Sequence, residues 1–150
     1  MAVNVYCRFD AASSECGIGA THEAMSLSAG TVNKARLITG PGCTWVYEGF
    51  GPLTIGAGNW DVKAIIYTLA GIGAPTVRCQ VKHRSADCTV LQTIIDQTLP
   101  MTKEEVVVYT FSAVDVPQVV VGATDVITVE FNRGGTGDMD ITLRYNGGAG

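Results

Sequence analysis

Two histidines and five cysteines are the residues of this 150-residue chain best suited to chemistry beyond packing. His83 lies in the run Lys82-His-Arg84 and is followed closely by Ser85 and Asp87. One short loop thus holds a base, a hydroxyl and a carboxylate, the groups that nucleophilic hydrolysis needs. Turn chemistry accounts for Ser and Asp at the same positions without catalysis, because both side chains bond their own backbone in loops. His22 stands beside Glu23, outside any known catalytic frame. The chain contains no Gly-x-Ser-x-Gly elbow, no phosphate-cradling loop ending in Gly-Lys-Ser/Thr and no His-x-x-x-His pair. The expectation is a protein that is not an enzyme and uses no cofactor.

The cysteines fall into two pairs of equal spacing, Cys7 with Cys16 and Cys79 with Cys88, and Cys43 is left over. Zinc knuckles place their thiolates two to four residues apart, so this spacing argues against a metal. Cys79 and Cys88 suit a disulfide if the chain turns at residues 83–87, because both then face the same side of an antiparallel hairpin. The competing reading makes both of them small buried hydrophobes, as a reducing cytosol favours, and Cys43 reads as a buried thiol under either scheme.

Trp45, Tyr47, Phe50, Trp60 and Tyr67 are the aromatic residues of the middle of the chain. Aromatic side chains exposed on a sheet stack against sugar rings, which makes Trp45 and Tyr47 candidates for glycan binding. Trp60 is in phase with Val62 and Ile66 and so points inward. Asp138 and Asp140 could offer carboxylates to calcium, but alternating acidic residues on a wet strand face are ordinary solvation, and further oxygens are missing.

These residues need elements to position them, and the composition says which kind. Apolar residues make up 47% of the chain and charged residues 16%, with 18 glycines, which is enough to build one domain with its own core. Ten basic and 14 acidic residues give a net charge of −4 with no Lys/Arg cluster, against a nucleic-acid groove. No run approaches the ~20 apolar residues of a membrane span. The start, Met1-Ala-Val-Asn-Val-Tyr-Cys-Arg, lacks a basic n-region and an apolar h-region, so Sec export is not expected.

Strand signals recur roughly every ten residues after a small-residue run at 11–20 that has no period. They cover residues 24–27, 32–38, 44–50, 59–69, 76–84, 88–94, 105–112, 116–121, 125–133 and 139–145. The last is the clearest, with Met139, Ile141, Leu143 and Tyr145 alternating with Asp138, Asp140, Thr142 and Arg144. Gln92 interrupts the apolar face of Cys88, Val90 and Ile94. A helix fits only at 22–27 or in the Thr102-Lys-Glu-Glu105 box. The expected fold is all-β: a single-domain antiparallel β-sandwich over residues 24–146, of jelly-roll connectivity, with a closed barrel as the alternative. An extended N-terminal arm over residues 1–23 precedes it, and a flexible Gly-rich tail at 147–150 follows.

The stretches Ala57-Gly-Asn-Trp60-Asp-Val, Val77-Arg-Cys-Gln-Val81-Lys-His-Arg84-Ser-Ala-Asp-Cys88, Val108-Tyr-Thr-Phe111-Ser and Val120-Val-Gly-Ala-Thr-Asp125-Val-Ile-Thr-Val129 are similar to β-sandwich domains of bacteriophage structural proteins. The resemblance covers about the last hundred residues and is one of strand order and turns, with no catalytic signature. The short chain with an N-terminal arm resembles capsid decoration (cement) proteins. That resemblance implies a virion location on the capsid surface, assembly in the host cytoplasm, and as partners the major capsid protein and copies of the chain itself as a homotrimer. Neither nucleic acid nor membrane is an expected partner. Val3, Val5, Tyr6 and Phe9 are the apolar residues with which such an arm would contact a neighbouring subunit. The runs Val106-Val-Val108 and Val119-Val-Val121 are apolar on both faces, as expected of central strands or of a sheet whose outer side a subunit covers. A carbohydrate-binding β-sandwich, a surface-glycan module of a tail or head fibre, is the second functional class.

Overall fold

Period-two alternation becomes strand wherever the sequence carries it strongly. A computed structural model describes residues 6–12, 16–19, 22–26, 34–48, 51–68, 71–101, 106–137 and 140–145. Among these residues there are twelve strands and no helix. They are β1 (Tyr6–Ala12), β2 (His22–Ser26), β3 (Lys34–Leu37), β4 (Cys43–Tyr47), β5 (Leu53–Ile55), β6 (Gly58–Thr68), β7 (Pro75–Arg84), β8 (Val90–Pro100), β9 (Val106–Val116), β10 (Val119–Val121), β11 (Val126–Gly135) and β12 (Ile141–Tyr145).

A six-stranded sheet, β1-β2-β4-β11-β7-β8, faces a four-stranded sheet, β3-β12-β6-β9, and β5 pairs with β10 in a two-stranded ribbon. The connectivity follows from four antiparallel ladders. β7 pairs with β8, β6 with β9, β4 with β11 and β3 with β12. The chain is therefore one long double ribbon, turning between β7 and β8 and rolled so that successive rungs fall in opposite sheets. Numbering these eight strands in chain order, the sheets read 1-8-3-6 and 2-7-4-5, which is the jelly roll. Among the described residues all strand pairings are antiparallel except β2 with β4, a three-residue parallel ladder from His22↔Thr44 to Ala24↔Val46.

The core fills the space between the sheets. Trp45, Val77, Cys79, Val81, Ile95 and Phe131 come from the larger sheet, and Ala64, Ile66, Phe111, Ile141 and Leu143 from the smaller. Phe131 is at its centre, edge-on to both Trp45 and Phe111 with centroids 5.9 Å away in each case. Such T-shaped pairs add to simple burial because the ring edge meets the negative face of its neighbour.

Several expectations are corrected here. Residues 6–12, expected within an extended arm, form β1 at the edge of the chain's own six-stranded sheet, antiparallel to β2. The small residues that lack a period serve close approach. A Cβ on Gly17 would come within 2.4 Å of the Thr44 side chain, and one on Gly19 within 2.0 Å of the Gly42 carbonyl. Tyr6 and Phe9 are thus strand positions of β1, while Val3, Val5 and the tail at 147–150 lie outside the described residues. Residues 22–26 are strand rather than helix, and residues 102–105 lie outside the described part. Pro117 sits in the link between β9 and β10.

Gln92 now has an explanation. The β7–β8 register slips between Val81 and Lys82 and again between His83 and Arg84. Each slip places one extra residue on β8, which shifts the side-chain alternation by one. Consecutive Ile94 and Ile95 are both buried, and Gln92 is brought opposite His83.

Candidate functional site

The polar chemistry of the molecule concentrates on the outer face of the six-stranded sheet, where β4, β11 and β7 lie side by side. Thr44, Glu130 and Gln80 form one row across these strands, and Val46, Thr128 and Lys82 the next. Glu130 is 0% exposed. Arg84 Nη2 donates to Glu130 Oε1 at 2.7 Å, and Lys82 Nζ forms an ion pair with Oε2 at 2.8 Å. Arg84 also donates from Nε to Thr128 Oγ1 at 3.2 Å and from Nη1 to the Cys88 carbonyl at 2.8 Å. One guanidinium therefore ties the buried carboxylate to the β7–β8 turn. Alternation along β7 puts Lys82 and Arg84 on the face opposite Val77, Cys79 and Val81. Reading their partner required the β7–β11 register, which pairs positions far apart in sequence.

His83, Ser85 and Asp87 do not converge. His83 is buried on the core side of β7, and its Nε2 lies 2.8 Å from Asp125 Oδ2 in the next loop. Ser85 Oγ and the Thr89 amide both donate to Asp87 Oδ1, closing the turn together with the bond from Ser85 N to the Thr89 carbonyl at 2.9 Å. These bonds, that from Ser85 first, hold the Asp87 carboxyl below the usual carboxylate range. The Ser and Asp are thus turn residues.

Asp125 has a structural role that pH should reveal. The Gly122 amide donates to Asp125 Oδ2 at 2.8 Å, and this bond, followed by the one to His83, depresses its carboxyl from the ordinary value. A carboxylate with a depressed folded-state pKa contributes stability above its unfolded pKa and loses it as pH falls through the folded value. Asp125→Asn should therefore lower stability at neutral pH, and the gap to the wild type should close on acidification below about pH 4. Urea titrations at several pH values measure this, and a gap that stays constant down to low pH would exclude the role.

The cysteine pairing differs from the sequence expectation. The bridge is Cys16–Cys88, spanning a sequence separation of 72, and not Cys79–Cys88. The β7–β8 hairpin turns at residues 85–89, later than expected, so Cys88 lies in the turn itself and the residue facing Cys79 is Gln97. Cys79 and Cys43 are buried thiols on either side of Phe131 in the sheet. By spacing Cys16 matches Cys7, and nothing in that spacing pairs it with Cys88. The glycines on either side of its neighbour Ile18 were the available signal, since they let the chain lie flat on a sheet.

Trp45 and Tyr47 are not a stacking platform. Both are buried in the main core, and the alternate residues Thr44 and Val46 are buried as well, so β4 has no wet face. The outer side of β4 is covered by residues 16–19: Ile18 N donates to Thr44 Oγ1 at 2.8 Å, and Oγ1 donates back to the Ile18 carbonyl at 2.8 Å. No group of three or more His, Cys, Asp or Glu suited to a metal occurs among the described residues.

Exposed apolar residues also line the outer face of the other sheet. Across β3, β12, β6 and β9 the register aligns Leu37, Thr142, Tyr67 and Val106, and the neighbouring row on β6 and β9 aligns Ile65 with Val108. Val106 is 51% and Val108 60% exposed, and Leu37 is exposed as well. Phe111, Ile66 and Leu143 point the other way, into the core. Neither valine run is a central strand: β9 is the edge of the four-stranded sheet and β10 belongs to the two-stranded ribbon. Val107 turns inward and its two neighbours outward, while in β10 Val119 and Val121 are buried and Val120 is exposed.

The fold and these surfaces define an antiparallel β-sandwich of jelly-roll topology. No family model matches the sequence, and no curated protein matches it significantly. Among solved structures, the chain is similar to one from the structure of infectious bursal disease virus Gx strain, at 14% identity and a TM-score of 0.32. The match covers 93% of this chain and 39% of that one, so this chain spans well under half of its length.

Proposed function

We propose that the protein is a non-enzymatic structural component of a virion, a bacteriophage capsid decoration protein that stabilises the head lattice through subunit contacts. The observation that carries this reading is the apolar row on the outer face of the four-stranded sheet, with Leu37, Val106 and Val108 uncovered on one plane. Exposed apolar residues on a sheet face cost solubility in a lone subunit and contribute binding energy once a neighbour covers them. Jelly rolls also recur in viral capsid domains, which agrees with the reading at the level of fold alone. On this proposal the chain sits on the capsid surface, is assembled in the host cytoplasm, and has the major capsid protein and two further copies of itself as partners.

Quantitative mass spectrometry of gradient-purified particles tests the proposal, with the wild type and Val108→Lys compared side by side. A simple copy ratio to the major shell protein is expected for the wild type. A lysine buried in an apolar contact leaves a charge without a partner, so the variant should fold normally yet occupy particles at least about tenfold less, equivalent to ~1.4 kcal/mol or more. Absence of the wild-type chain from particles overturns the assignment, and full occupancy by the variant removes this face from the contact.

A further inference from the structure

We propose that the Cys16–Cys88 disulfide is a redox latch, fastening the connection between β1 and β2 across the outer face of the six-stranded sheet. The inference is independent of the virion reading and concerns only how this chain holds its own N-terminal hairpin. The observation behind it is an imbalance in attachment. The eight-stranded roll has its own large core around Trp45, Phe111 and Phe131, none of which touches the bridge. The bridge belongs to a separate, small cluster made of Cys16, Val46 and Val126, with Cys88 packed against it. Among the described residues, the β1–β2 hairpin joins the roll through the three-residue parallel ladder to β4, the burial of Met25 and a small contact of β1 with β12. Residues 16–19 add the paired bonds between Ile18 and Thr44 and the disulfide to the β7–β8 turn.

The geometry of the two ends suits a latch that closes late. Cys88 lies in the turn between exposed Asp87 and Thr89 and is itself only partly buried, so a small thiol or disulfide can reach it. Its carbonyl is held by Arg84, whose position is fixed in turn by Glu130, so the Cys88 side of the bond is set by the roll before the strap arrives. Cys16 is brought there by Gly17 and Gly19, which pass too close to Thr44 and Gly42 for any side chain. Closure takes two steps. A Cys88 thiolate attacks a small-molecule disulfide, displacing one thiolate and leaving a mixed disulfide. The Cys16 thiolate then attacks the Cys88 sulfur, displacing the second thiolate and forming the bridge. Two cysteine thiols are oxidised, one small-molecule disulfide is reduced to two thiols, and the protons leave with the thiols. Under a reducing poise the same steps run backwards and the strap is held by hydrogen bonds and the small cluster alone.

Hydrogen exchange on the full chain, with and without a dithiol reductant, tests the latch, after alkylation and peptide mapping of each state. Mapping of the oxidised protein should recover a Cys16–Cys88 cross-linked peptide. Reduction should raise exchange about tenfold or more in residues 16–26 and in β4, which loses its cover, while β6, β7 and β9 keep their protection. Cys16→Ser should show the reduced pattern in both conditions, and its retained protection in β6 and β9 establishes that the roll is folded. An oxidised protein in which Cys16 is unbridged or paired elsewhere overturns the proposal. So does a confirmed reduction that leaves exchange at residues 16–26 unchanged, or one that exposes the whole roll at once.

Discussion

Glu130→Ala should be among the most damaging single substitutions in this protein, lowering stability by about 3–5 kcal/mol. The carboxylate is 0% exposed and meets Arg84 at 2.7 Å and Lys82 at 2.8 Å. Bringing three charges out of water is costly, and their attraction roughly offsets that cost only while every partner is present. Removing the single anion leaves two cations side by side on a covered sheet face, with repulsion replacing attraction. Arg84 also loses the contact that fixes the guanidinium under the Cys88 carbonyl, so the β7–β8 turn should loosen too. In a chain of this size the loss corresponds to a fall in Tm of roughly 10 °C or more. Denaturant titration with the disulfide state held constant measures it. A second variant separates the pair from mere packing: adding Arg84→Met to Glu130→Ala removes one of the stranded cations and should recover part of the loss. A double variant whose cost equals the sum of the single ones would show that the two groups do not interact.

The same network shows why part of the molecule was legible in sequence and part was not. Wherever one sheet face is buried and the other wet, period two survives in the residues, and β7, β6 and β12 were read close to their observed limits. The jelly roll could be expected because strand signals recur at regular intervals with turn residues between them. Three things were hidden for a common physical reason, which is that they depend on register between distant strands. Glu130 meets its cations only because Thr128 lies opposite Lys82 in the β11–β7 ladder. Cys88 meets Cys16 only because the β7–β8 hairpin turns at residues 85–89, which takes Cys88 out of the ladder and into the turn. Residues 16–19 cover β4 only because β2 adds beside it in parallel, which converts an apparently two-faced strand into one buried on both sides. Small residues without a period read as an arm when their shortness in fact serves contact, as Gly17 and Gly19 do. The outer apolar residues of the four-stranded sheet were visible as valine runs, yet which valines face outward follows from the phase of Phe111, which is buried in the core.

Trp45→Ala is expected to cost about 3–5 kcal/mol and to do so through the core alone. The indole is 0% exposed and stands edge-on to Phe131 at 5.9 Å, and Phe131 in turn meets Phe111 at 5.9 Å from the opposite sheet. Deleting the indole therefore opens a cavity beside the ring that joins the two sheets. Backbone pairing on both sides of β4, to β2 and to β11, resists collapse into the space. The penalty should thus lie toward the upper part of the range seen for large-to-small changes, since cost grows with the cavity that remains. Tyr47→Phe, which keeps the ring and its volume, should cost far less, below about 1.5 kcal/mol. The contrast decides between a structural and a sugar-stacking aromatic. A stacking tryptophan is solvent-exposed, so its removal weakens ligand binding and barely alters the unfolding midpoint. A core tryptophan behaves the other way, with a blue-shifted emission that soluble sugars leave unchanged and a midpoint that falls steeply on truncation. Retention of the wild-type midpoint by Trp45→Ala would overturn the placement of this residue at the centre of the sandwich.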